Sequence, residues 1–176
     1  MNVLFLGRTG YPFIDANMRE LLHTGFMSNR GRQNVASFLV RDLGLDWRLG
    51  AMHFERLLLD YDPASNYGNW QYAAGVGSDP REDRYFNIVK QASSYDPDCE
   101  YIRLWCPELS ALPNPLLLNP TKITRDVRAT YHITEGILPH PVVSLLHSTF
   151  KPEGSSKKSY EQRSKHGGVP GAKPRK

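Results

Sequence analysis

Apolar residues recur at helical spacing through most of the first hundred positions. Over residues 15–24, Met18, Leu21 and Leu22 make an apolar stripe, with Asp15 placed to cap its start and Gly25 to end it. Over residues 32–43 the signal is stronger, because Val35, Phe38, Leu39 and Leu43 share one face before Gly44. Asp46 stands as the cap of a third helix over residues 47–59, which turns Phe54, Leu57 and Leu58 inward. A turn then leads into a short helix over residues 70–74, and another short helix covers residues 86–93. Beyond Leu112 the pattern weakens. Pro113, Pro115 and Pro120 interrupt it, one short helix fits residues 126–131, and Pro139 and Pro141 bring ordered structure close to its end. No sustained alternation of period two occurs, so strands are not expected and the fold class is all-α.

Composition separates a body from a tail. Residues 151–176 are rich in Lys, Ser, Gly and Pro and lack the apolar content to bury a core. They are expected to be a disordered basic tail behind one folded domain over residues 1–150. The tail carries eight Lys/Arg against two Asp/Glu, so the net +4 of the 176-residue chain becomes −2 once it is set aside. Overall basicity is therefore no argument that the folded body binds nucleic acid. The tail itself either solubilises the protein or attracts nucleic acid weakly. Cys99 and Cys106 fit no metal knuckle or redox pair and are expected to be reduced thiols of an intracellular protein. The six histidines do not cluster in ligand spacing, so no metal site is expected. The opening MNVLFLG is too short, and too poor in basic residues, for a signal peptide or a membrane span.

Residues 60–77, DYDPASNYGNWQYAAGVG, crowd acids, amides, aromatics and glycines together. A flat polar ligand would account for the mixture: amides and acids for ring-edge hydrogen bonds, glycines for close backbone approach, aromatics beside them. Arg32 and Asp60 each sit at the edge of an apolar helix, where a carboxylate is the natural partner of a guanidinium. On the residues alone, a helix-linking ion pair is the plainer account. Asp62 precedes Pro63, a common turn position for an acid, and Asn66 fits an Asx turn. A lone Trp, such as Trp47 or Trp70, is usually core packing. Other enzyme classes fare poorly. GRTG at residues 7–10 lacks the lysine of a phosphate loop, no nucleophile elbow occurs, and neither Glu20 nor Glu55 has a spacing that marks acid–base work.

Four strings carry a more specific signal: GRTGYPFIDANMREL (7–21), MSNRGRQNVASFLVRDLGLDWRLG (27–50), DYDPASNYGNWQYAAGVGSDPREDRYFN (60–87) and EYIRLWCPEL (100–109). Through them the chain resembles the photolyase/cryptochrome flavoproteins, and in finer pattern the DASH-type cryptochromes. The resemblance implies the C-terminal half of a helical FAD-binding domain, with FAD held non-covalently. It implies that Arg32 and Asp60 pair beside the flavin ring and help hold a reduced, anionic flavin, and that Asp62 contacts the ring edge. Asn66 would face flavin N5, where an amide can hydrogen-bond but cannot deliver a proton. This photolyase-type choice favours the fully reduced flavin that donates an electron. Trp70 and Trp47 would be the proximal and middle members of an electron-hopping chain. No Trp stands upstream of GRTGYP to serve as the distal member, and Trp105 is expected to be structural. Asn29, Arg30, Gln33 and Tyr72 would line the substrate cavity. Arg30 would meet phosphate, Asn29 and Gln33 a pyrimidine edge, and Tyr72 would stack on a base. Many photolyases for duplex DNA carry Met and Trp where this chain has Gln33 and Tyr72, so the polar pair implies a preference for single-stranded DNA.

The implied function is blue-light-driven electron transfer from FAD to cyclobutane pyrimidine dimers. The alternative is a non-catalytic photosensory or regulatory fragment that binds nucleic acid or protein. Family members are much longer, with an N-terminal α/β domain that holds an antenna pigment of folate type. This chain begins inside the helical domain, so Met1 is expected to be an alternative start, a truncated gene product or a splice product. No antenna pigment is expected to bind, and FAD affinity and activity are expected to be impaired by lost pyrophosphate contacts. The protein is expected to be a monomer, off the membrane, in the cytoplasm or nucleus, an organelle also being compatible.

Overall fold

A computed structural model describes residues 2–76 and 85–144, and the tail expected to be disordered lies outside them. Among the described residues the chain is helical, with no strand. The order is α1 Asn2–Phe5, α2 Pro12–Thr24, α3 Asn29–Ser37, α4 Trp47–Leu57, α5 Pro63–Ala74, α6 Ile88–Tyr95, α7 Glu100–Trp105, α8 Asn114–Leu118 and α9 Arg125–Thr130. A π-helical turn, Phe38–Asp42, continues α3, and two 3-10 turns, Pro107–Leu109 and Pro120–Lys122, flank α8. No helix among the described residues is long and apolar enough to cross a membrane.

α2 is the axis of the fold. Every residue from Pro12 to Met18 is buried, and α1, α3, α6, α7 and α8 all pack against this helix. Its start differs from the expected one. Pro12 occupies the first helical position, where its missing N–H costs nothing. Asp15 is therefore not the cap. It lies inside the first turn, 2% exposed, and reaches back to the preceding loop. The Thr9 amide and hydroxyl each donate to Asp15 Oδ1 at 2.7 Å, and the Gly10 amide donates to Oδ2 at 3.1 Å. Burial pushes the Asp15 carboxyl up to about 6, against the pull of these donors and of Arg19. Gly10 has φ +79°, and a Cβ there would sit 2.7 Å from the Pro139 carbonyl oxygen, so this crossing requires glycine. Residues 139–143 lie across it. Val142 N donates to Thr9 O at 3.0 Å and the Tyr11 hydroxyl donates to Val143 O at 2.6 Å, so order continues past Pro141.

The apolar stripe of α2 runs through Ile14, Met18 and Leu21, while Leu22, expected inward, is 44% exposed. α3 starts three residues before the expected position, because Ser28 Oγ accepts from Gly31 N and closes the first turn. Val35, Phe38 and Leu39 are buried as expected, but the helix changes register. Leu43 N donates to Phe38 O, which makes the π turn. Asp46 caps α4 through Arg48 N at 2.9 Å, as its position suggested. α5 is far longer than the expected five-residue helix. Asp62 caps it through Ser65 N at 2.7 Å, Pro63 takes its first position, and Gly75 ends it at φ 71°. α6 begins at its Asn87 cap and runs to Tyr95, two residues past the expected end. α7 and α8 were not expected from periodicity. The buried Asp96 secures the first of them by accepting from Tyr101 N and Ile102 N. Both cysteines are free and buried.

Asp42, at the end of the π turn, is 5% exposed. The Tyr85 hydroxyl donates to its Oδ1 at 3.2 Å, while its buried Oδ2 has no hydrogen-bond partner. Burial pushes this carboxyl from its ordinary 3.8 up to about 6, so the folded state holds the proton more tightly than the unfolded chain. Its contribution to stability is therefore complete below the ordinary value and lost as pH rises through 6. Relative to Asp42→Asn, the wild-type thermal midpoint should fall as pH is raised across that window. Parallel midpoint curves for the two proteins would show that Asp42 does not titrate there.

Candidate functional site

α3, α4 and α5 flank a partly open cleft of about 130 Å³. α3 contributes Asn29, Arg32 and Gln33, the connection before α5 contributes Asp60 and Asp62, and α5 contributes Asn66, Trp70 and Tyr72. Of the residues singled out by sequence, Arg30 and Trp47 are the two that do not line it.

Arg32, Asp62 and Asn66 of the wall are each held by a structural bond. Arg32 donates through Nε to Met27 O at 2.8 Å and through Nη2 to both oxygens of Asp60 at 2.8 Å. The pair ties α3 to the segment before α5, with the Asp60 side chain 57% exposed. Asp62 lines the cleft while capping α5, and the backbone hydrogen bond from Ser65 holds its carboxyl below the ordinary value. Asn66 is nearly buried. Its amide donates to Ala51 O at 3.0 Å, and its carbonyl oxygen accepts nothing among the described residues. That oxygen is an acceptor available to a ring N–H.

Trp70 is 2% exposed, packed edge-on to Phe54 with centroids 5.1 Å apart. Its ring lies directly against Gly50 of α4, where a Cβ would collide with three of its atoms. Trp47 stands one turn before Gly50 on α4 and meets Tyr67 edge-on at 6.2 Å. Tyr67 is in turn one helical step from Trp70 on α5, so the two tryptophans flank the α4–α5 contact from inside and outside. Arg30 is drawn out of the cleft wall between the rings of Phe86 and Tyr95. Trp105 lies elsewhere, stacked on His23 with its carbonyl accepting from Arg19.

Sequence reasoning missed Ser37 and Phe86. Both line the cleft, and Phe86 N donates to Ser37 Oγ at 3.0 Å. Ser37 belongs to an unbroken buried run, residues 34–39, and a small polar residue in such a run was the available signal.

A helical domain with this cleft defines a class, and comparison with known proteins agrees. The chain belongs to the photolyase/cryptochrome family: residues 4–151 match the family described as the FAD binding domain of DNA photolyase. Within that family it is similar to cryptochromes of the DASH type. It is 55% identical to the chloroplastic/mitochondrial cryptochrome DASH of Solanum lycopersicum over 157 residues, which cover 89% of this chain and 25% of that protein. It is 54% identical to cryptochrome DASH of Xenopus laevis over 158 residues, covering 87% of this chain and 30% of that one. Among solved structures, the cryptochrome of Synechocystis sp. PCC6803 superposes with a TM-score of 0.77 at 51% identity, covering 81% of this chain and 30% of that chain. A class III photolyase of Agrobacterium tumefaciens gives 0.74 at 40% identity, with the same coverage. The chain thus spans between a quarter and a third of the length of these relatives.

Replacing Gly50 by Ala forces the Trp70 ring off α4. Gly50→Ala is expected to destabilise the fold by about 1–3 kcal/mol, the usual cost of overpacking a tight site. Denaturant unfolding measures the loss, and a red shift of tryptophan emission reports the displaced ring. An unchanged midpoint would mean that the helices separate without cost.

Proposed function

We propose that the cleft holds the ring system of FAD, and that a pyrimidine dimer of single-stranded DNA enters beside it. The observation that carries this reading is the convergence of Arg32–Asp60, Asp62, Asn66 and Trp70 on one cleft in a chain of the FAD-binding photolyase family. The donor set fits a flavin. The acceptor oxygen of Asn66 and the carboxylate of Asp62 suit ring N–H groups, and the Arg32 guanidinium offers a fixed positive charge to an anionic ring. When bound, FAD supplies light-driven one-electron chemistry, which the protein positions and tunes.

The chain's own residues divide the work. Arg32 and Asp60 localise charge at the lip, and Asn66 accepts a hydrogen bond without offering a transferable proton. Trp70 against the cleft and Trp47 beyond Gly50 form a path for electrons to enter from the surface. Asn29 and Gln33 present exposed amides and Tyr72 a half-buried ring for the edges and face of the two linked pyrimidines. These residues would hold a cyclobutane dimer beside the ring, where bound FAD would supply the light-driven one-electron chemistry that splits it.

Two measurements test this. After incubation with FAD and removal of excess, the purified chain should retain the flavin absorption bands, and a colourless protein would refute binding by this chain. Arg32→Ala should lower retained flavin at least about tenfold while costing the fold only about 1–2 kcal/mol, the sum of a half-exposed ion pair and the hydrogen bond to Met27 O. In the loaded protein, Trp70→Phe and Trp47→Phe should each slow photoreduction by external donors by at least about tenfold, because each removes one relay. Wild-type rates in both variants would place the electron path elsewhere.

A further inference from the structure

Arg30 lies between two aromatic rings at the edge of the cleft. Its guanidinium carbon is 5.7 Å from the Phe86 centroid and 5.0 Å from that of Tyr95. Phe86 lines the cleft, whereas Tyr95, the last residue of α6, is 53% exposed. Ring, cation and ring therefore form a strip that leads from the cleft to the outer surface. Among the described residues, Arg30 has no ion-pair partner and the Tyr95 hydroxyl has no hydrogen bond.

The strip is rigidly supported. Phe86 is tied to Ser37 by its backbone amide. Directly after Tyr95, Asp96 N donates to Ala92 O at 2.9 Å and the buried Asp96 carboxylate takes two amides of α7. An aromatic side chain on so fixed a backbone loses little freedom when a partner stacks on it.

We propose that this strip, through the exposed ring of Tyr95, is a stacking shelf for the unpaired nucleobase next to the dimer held in the cleft, beyond the phosphate contact that the family resemblance already implies for Arg30. This rests on the reading of the cleft as a site for a lesion in single-stranded DNA. The chemistry is that of sequence-tolerant single-strand binding. Bases stack on aromatic faces and guanidinium planes, and an arginine in cation–π contact still presents N–H edges to phosphate. A base inside a duplex already has both faces covered by its neighbours, so the shelf favours an unpaired strand. It extends the footprint beyond the cleft by a contact that carries no base identity.

The test titrates the full chain in the dark with two ligands. One is a short single-stranded oligothymidylate that carries a thymine dimer flanked by 2-aminopurine, and the other is the bare dimer dinucleotide. Wild-type protein should quench 2-aminopurine fluorescence. Tyr95→Leu keeps bulk but removes the π face. It should lose the quenching and bind the oligonucleotide about tenfold more weakly while binding the dinucleotide unchanged. Tyr95→Phe should behave as wild type. Quenching that survives in Tyr95→Leu, or is absent in the wild type, overturns the shelf. Failure of the cleft reading looks different: the dinucleotide would not bind, or would bind Gln33→Ala and Tyr72→Ala as well as wild type, while quenching of a flanking base persisted.

Discussion

Gly50 meets the ring of Trp70 with no side chain between them, and the site depends on that approach. Ala51, the next residue of α4, accepts the amide hydrogen bond of Asn66. Asn66 and Trp70 are four residues apart on α5, one turn along the same face. Two adjacent positions of α4 thus key into two successive turns of α5, one by shape and one by a directional bond. Both keyed side chains line the cleft. Their conformations are set by packing within the protein, so the entropy of ordering them is already spent before a ligand arrives. A side chain larger than hydrogen at position 50 would move the helices apart and disturb both keys together.

The polar wall obeys the same economy. Asp62 caps α5, Arg32 holds Met27 O and Asp60, and Ser37 holds the Phe86 backbone. The plainer account of Arg32 and Asp60, an ion pair, is realised in the structure, and Asp62, read as a turn acid, instead caps a helix, yet each residue also faces the cleft. A structural role and a ligand-facing one do not compete here, because a carboxylate or guanidinium has more hydrogen-bonding capacity than one partner uses. The exposed Asp60–Arg32 pair adds little to stability, so its contribution is better sought in the field it sets at the lip.

Much of the fold was legible where residue type and periodicity agreed. The Asp46 cap, the inward Phe54 of α4 with Leu58 just past its end, and the buried face of Val35, Phe38 and Leu39 could be read directly. Asp15 misled because an acid before an apolar run resembles a cap. The stronger signal was Pro12, and the acid instead serves the loop behind it. Most of α5 was hidden by Asn, Ser and Gly of low helix propensity, which packing against α4 overrides. α7 and α8 are too short for a period to emerge. The grouping of Arg32, Asp60 and Asn66 was suggested by long uncommon strings and not by spacing. That Arg30 and Trp47 stand off the cleft depends on their ring partners, which no linear pattern reveals.

The π turn joins these elements into one support. By inserting a residue after Ser37 it lets the segment hold two successive positions of the 85–86 stretch. Ser37 grips the Phe86 backbone, and Asp42, five residues on, takes the Tyr85 hydroxyl. Phe86 then serves two neighbours at once, closing one side of the cleft and flanking Arg30. The cleft wall and the outer aromatic strip therefore share a single anchor, and a shift of the 85–86 backbone would act on both. That coupling follows from geometry alone. A π turn at the end of a buried helix carries an energetic cost, and here it places a ring between an interior site and the surface.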